Sequence, residues 1–93
     1  MRACRVDENQ RAIVQALRKI GATVQHLHTI GDGCPDILVG WRHQNLLFEI
    51  KDGSKSPSKR KLTRDEVEWH KRWKGVVYTI ESLADALKAM GVR

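Results

Sequence analysis

Between Asp7 and Gly21, apolar residues recur at helical spacing. Ile13, Val14, Leu17 and Ile20 fall on one stripe, which predicts an amphipathic helix. Asp7 can cap it, Gln10 stands three residues on as a capping box requires, and Gly21 ends it. Thr23 to Thr29 is rich in β-formers but mixed in polarity, as an edge or half-exposed strand would be. Gly31-Asp32-Gly33 is a turn. Ile37 to Trp41 and Leu46 to Ile50 are short apolar runs separated by the polar stretch Arg42 to Asn45, which reads as a hairpin with a four-residue turn. Asp52 to Lys61 combines turn formers with strong positive charge and predicts a mobile basic loop. Thr63 opens a second helix, with Glu66 completing a capping box, and this helix runs to about Trp73 or Lys74 before Gly75. Val76 to Ile80 is a strand. Ser82 caps a last helix with Leu83, Ala86, Leu87 and Met90 on one face and Gly91 after its end. The order is α-β-β-β-α-β-α, an α/β domain without internal repeats.

The hairpin carries a prediction about chemistry. With a four-residue turn, Trp41 pairs with Leu46 and Asp36 falls opposite Lys51. Glu49 lies two residues from Lys51, on the same face of the strand. Asp36 and Glu49 become diagonal neighbours, roughly 7 Å apart, while Ile50 points to the core. Two carboxylates and an ammonium would then share one patch. Magnesium takes oxygen ligands and keeps several waters, so two carboxylates and the backbone carbonyl of Ile50 can suffice to hold it. The simpler alternative is a solvated ion pair of little energetic weight. Placement at the mouth of a glycine-rich turn, on strands that are otherwise apolar, favours the functional reading.

Composition narrows the class. Ninety-three residues make one domain, 1–93, with a modest core that dimerisation would enlarge. Charged residues are 30% and hydrophobic residues 41%, a globular balance, and the net charge of +6 favours a polyanionic partner. No apolar run is long enough to span a bilayer. The start Met1-Arg2-Ala3-Cys4-Arg5 turns polar at once, so no signal peptide is expected. Cys4 and Cys34 lack metal-ligand spacing and suit free thiols in a reducing cytoplasm.

Pro35-Asp36, twelve intervening residues, then Glu49-Ile50-Lys51 resembles the PD-(D/E)xK nuclease signature. The setting is more specific. Gly33-Cys34-Pro35-Asp36-Ile37-Leu38-Val39-Gly40, then Phe48-Glu49-Ile50-Lys51-Asp52-Gly53, then Leu62-Thr63-Arg64-Asp65-Glu66-Val67-Glu68-Trp69 resemble the VRR-NUC family of virus-type replication-repair nucleases. The likeness runs from about Asp7 to Leu87 and is nearest to the small stand-alone members of phages and prophages. It implies a restriction-endonuclease-like αβββαβ core with a mixed four-stranded sheet flanked by helices. It also implies a magnesium- or manganese-dependent DNA endonuclease, selective for branched DNA such as Holliday junctions and working as a homodimer in a bacterial cytoplasm. By resemblance, Asp36 and Glu49 are metal ligands, the Ile50 carbonyl is a third, and Lys51 is the catalytic lysine. The family often has glutamine where Glu66 stands. Glu66 could cap its helix or reach the site. Glu8 is the first-helix acid nominated for the metal, with Asp7 as the cap and Gln10 a competitor. The alternatives to this function are a DNA-binding module without catalysis and a general or restriction-type nuclease.

Lys55, Lys59, Arg60 and Lys61 directly follow the Glu-Ile-Lys strand and are candidate phosphate contacts, a patch that Lys71, Arg72 and Lys74 are expected to extend. Trp69 and Trp73, four apart on one helix face, are expected as core anchors in preference to base stacking. His26 and His28 are expected at the surface, His70 either at the surface or facing the site, and Cys34 as a small buried thiol.

Overall fold

Helix α1 (Glu8–Lys19) forms because its apolar positions keep the helical period, and it buries Gln10, Ile13, Val14 and Leu17 along that stripe. The computed structural model describes residues 7–92. The expectations about Cys4 and the polar start of the chain lie outside them. Strand β1 (Thr23–His26) follows, shorter than the predicted run to Thr29. Then come β2 (Ile37–Trp41), β3 (Gln44–Ile50), the one-turn helix α2 (Pro57–Arg60), α3 (Arg64–Arg72), β4 (Val77–Ile80) and α4 (Leu83–Met90). The fold is α/β, with a mixed four-stranded sheet in the order β1-β2-β3-β4 flanked by helices. The first three strands pair antiparallel, and β4 joins β3 in parallel after the connection through α2 and α3. Among the described residues, no helix is long and apolar enough to cross a membrane.

One face of the sheet is the core. Ile37, Val39, Leu46, Phe48, Ile50 and Ile80 meet Ile13, Val14 and Leu17 of α1 and Ala86 and Met90 of α4. Alternation along β3 sends Leu47 and Glu49 to the other face, toward the side that α3 occupies.

The hairpin register differs from the expected one. Trp41 pairs with Gln44, so the turn is only Arg42-His43, and both residues have positive φ, +47° and +66°. That geometry marks a two-residue turn of the kind that usually carries Asn-Gly. Arg-His hides the signal. The ladder therefore slides by two residues, and Ile37 faces Phe48. A slip of one would have put the carboxylates on opposite faces. A slip of two keeps the faces and carries Asp36 from a place opposite Lys51 to one opposite Glu49.

Several other expectations are corrected. Asp7 occupies the N-cap position of α1 but makes no capping hydrogen bond, and Gln10 turns instead toward His26, 3.4 Å from Nδ1. The basic segment after β3 is not a featureless loop. Ser56 and Pro57 start α2, and Asp52 accepts bonds from the amide and hydroxyl of Ser54 at 2.9 and 2.7 Å. Trp69 and Trp73 do not anchor the core: Trp69 is half-buried, Trp73 just past α3 is exposed, and neither joins the buried apolar cluster. His26 and His28 are half-buried rather than exposed, and His70 is half-buried beside Trp69.

Candidate active site

The site forms where the ladder between β2 and β3 stops. The carbonyl of Asp36 accepts from Leu27 of the segment after β1 at 2.8 Å, while its N–H donates to Phe48 of β3 at 3.0 Å. The two peptide groups of Asp36 thus face opposite neighbours, and regular pairing ends at this residue. Ile50 is left without a ladder partner on that side. Its N–H donates to Asp36 Oδ2 at 2.7 Å instead, a charge-assisted bond worth about 1.5–3 kcal/mol. In an extended strand the carbonyl of a residue points the same way as its N–H. The Ile50 carbonyl therefore opens toward the Asp36 carboxylate, as a ligand there requires.

The loop before Asp36 is shaped by close approach to α3. Gly31, Asp32 and Gly33 all have positive φ. A Cβ on Gly33 would collide with the Asp65 carbonyl and come within 2.8 Å of the Glu66 amide. Glycine is needed there on both counts. The contact seats the first turn of α3 against the site and brings in Glu66. Thr63 Oγ1 accepts from the Glu66 amide at 3.2 Å, and Glu66 Oε1 accepts from the Thr63 amide at 2.8 Å, forming the expected capping box. The same Oε1 accepts from Lys51 Nζ at 2.7 Å. Glu66 therefore caps its helix and holds the lysine at once, the two roles that were set against each other above.

Glu49 is the unusual member. Only 2% of it is exposed. One oxygen lies 3.8 Å from Lys51 Nζ, and the other is buried with no hydrogen-bond partner. Burial, then the charge of the neighbouring Asp36 carboxylate and a hydrogen bond shared with it, then the charge of Glu66, push its pKa up to about 10 against the pull of Lys51. Three carboxylates around one ammonium cannot all stay charged in so dry a place without another cation. Burial alone would lower the Lys51 pKa, but the Glu66 hydrogen bond and the surrounding carboxylates outweigh it and raise it. Burial would likewise raise Glu66, yet the bonds from Lys51 and Thr63 hold it below the usual range. Lys51 is thus held as an ammonium and Glu66 as a carboxylate. Cys34, half-buried beside the site, is kept a thiol by burial and by the charges of Glu49 and Asp36.

Asp36, Glu49 and Lys51 are brought together, and strand geometry directs the Ile50 carbonyl toward them. Glu8 is not joined to them. It is exposed at the start of α1 and lines a cavity with Arg11, Gln15, Arg18 and His26. Among the described residues no three His, Cys, Asp or Glu side chains are grouped to hold a metal ion. A cation here would rest on two carboxylates, a backbone carbonyl and water, and the unpartnered Glu49 oxygen fits that use. Lys55, Lys59 and Lys61 are exposed. Arg60 is instead tied to Glu81, with Nη1 at 3.3 Å from Oε1 and 3.4 Å from Oε2. Asn9 is a contributor that the sequence reading missed. Its amide donates to the carbonyls of Lys51 at 3.0 Å and Glu81 at 3.3 Å, pinning α1 to the strand end. Nothing local in the sequence marks it, because its partners are 42 and 72 residues away.

No family model matches the chain, and comparison with curated proteins and with solved structures gives no match.

Proposed function

We propose that this chain is a metal-dependent DNA endonuclease that hydrolyses phosphodiester bonds. Asp36 and Glu49, with the Ile50 carbonyl, hold magnesium or manganese, and Lys51 is the cationic catalytic group. Glu49 carries the reading. A carboxylate this buried, beside a second one and with a free oxygen, is costly in the absence of a cation and well matched to one.

When bound, such an ion polarises a phosphoryl oxygen and acidifies a coordinated water. The protein's own groups divide the remaining work. The Ile50 N–H fixes Asp36 through Oδ2 and so holds its carboxylate against Glu49. Glu66 fixes Lys51, whose raised pKa keeps it charged at neutral pH. Lys51 then acts as a hydrogen-bond donor that stabilises charge building on the phosphate, not as a base. Lys55, Lys59 and Lys61 hold backbone phosphates beside the cut. The likeness to VRR-NUC nucleases supports DNA as the substrate and branched DNA as the preferred form. Two copies about a two-fold axis would present two sites to two strands. Light scattering that gives a monomer at micromolar concentration contradicts the dimer.

The test is a cleavage assay on a four-way junction, a flap, single-stranded DNA and linear duplex, with magnesium or manganese and with chelator. Cleavage should need the ion, vanish in Asp36→Ala and fall about a hundredfold to a thousandfold in Lys51→Ala. Cleavage that survives both substitutions or ignores the chelator removes the proposed site. No cleavage of any substrate leaves a DNA-binding module.

A further inference from the structure

Trp73, the residue that ends α3, keeps 46% of its surface in solvent. Its ring lies on that of Trp69, with centroids 4.6 Å apart and planes 19° from parallel. The chain then turns close past the indole edge, where a Cβ on Gly75 would stand 2.9 Å from Trp73 Nε1. Lys71, Arg72 and Lys74 surround Trp73 in sequence and are all exposed, and no acidic residue stands between Trp69 and Ile80. Glu66, which fixes Lys51, is seven residues earlier, in the first turn of the helix that Trp73 ends. That is about 10 Å along the axis, the span of about three stacked nucleotides.

An exposed indole among cations offers the two things that hold single-stranded nucleic acid, a flat π surface for a base and positive charge for the phosphates on either side. A second copy of the chain is a poorer occupant. Two-fold pairing on this surface would bring Lys71, Arg72 and Lys74 of each copy toward one another.

We propose that the Trp69–Trp73 stack is a docking platform for an unpaired base of the substrate strand, with Arg72 and Lys74 on its neighbouring phosphates. Binding there needs no catalysis. The consequence, that the Lys51 site acts on strands with unpaired nucleotides near the cut, rests on the nuclease reading.

The experiment is titration of the full chain with oligo-dT and with blunt duplex in chelator, followed by tryptophan fluorescence. Oligo-dT should quench the wild type. Trp73→Ala should lose most of the quenching and bind oligo-dT about tenfold to a hundredfold more weakly, with duplex binding little changed. Trp73→Phe should retain most of the affinity. Circular dichroism should show all three folded, since the side chain is exposed. Unchanged oligo-dT affinity in Trp73→Ala overturns the platform. So does a drop of that variant from dimer to monomer in light scattering, which would make the surface a contact between copies. Because no metal is present, loss of the nuclease reading would leave these results standing.

Discussion

Phe48 and Glu49 are neighbours in β3 and almost equally hidden, 0% and 2% exposed. Phe48 lies among apolar side chains with Tyr78 at 5.8 Å between ring centroids, and its burial lowers the free energy of folding. Glu49 faces the other side, where burial strips a carboxylate of water and offers it Asp36 and a shared lysine. One face of the strand is where stability is gained, and the opposite face holds a cost that a bound cation would offset. Similar burial therefore means different things on the two faces, and substitutions on each should move different observables.

The largest effect belongs to the core face. Phe48→Ala should cost about 3–5 kcal/mol, seen in urea denaturation as a large fall in midpoint, and would leave the domain marginal. A loss under about 1 kcal/mol would mean the core is not where we place it. Lys51→Ala comes next. It should leave the fold intact and reduce metal-dependent cleavage about a hundredfold to a thousandfold. A comparable loss of stability without loss of chemistry would reverse the roles of the two faces.

Glu49→Gln should act in opposite directions on the two properties. Cleavage should disappear, while the metal-free protein should gain about 1–2 kcal/mol, or about 4–8 °C in melting temperature for each kcal/mol. The pH dependence follows from the raised pKa. Unfolded, Glu49 releases its proton near its ordinary 4.5, whereas folded it keeps it to about 10. Its contribution is fully present below the lower value and is lost as pH rises toward the upper one. Between pH 5 and pH 9 the metal-free wild type should lose stability faster than Glu49→Gln, as melting curves would reveal. Parallel slopes would show that Glu49 is already ionised without metal. The smallest effect is at Thr63→Ala, which removes one half of the capping box. It should cost about 1 kcal/mol and lower activity only modestly, because Glu66 still accepts from Lys51. Full loss of cleavage with an unchanged melting curve would give Thr63 a role beyond the cap.

Much of this architecture is legible in the chain because local rules agree with one another. The helical period of α1, the Thr63/Glu66 box and the Ser82 cap each fall where expected. The face shared by Glu49 and Lys51 follows from strand alternation alone. What fails locally is the turn. Arg42-His43 adopts backbone angles favoured by Asn-Gly, so the register slips by two and the carboxylates come closer than the sequence suggests. Contacts over long separations are invisible to pattern reading, which is why Asn9 on the Lys51 and Glu81 carbonyls and Arg60 on Glu81 emerge only in three dimensions. The tryptophans mislead for another reason. Four-residue spacing says they share a helix face, not that the face is covered.

The central claim is that Asp36 and the protonated Glu49 form a site waiting for a divalent ion. Calorimetric titration with manganese, near neutral pH in two buffers of different ionisation enthalpy, tests it most directly. Wild type should release about one proton per ion bound, Glu49→Gln none, and Asp36→Ala should bind much more weakly. Manganese that binds without releasing a proton, or with equal affinity to Asp36→Ala, would contradict it.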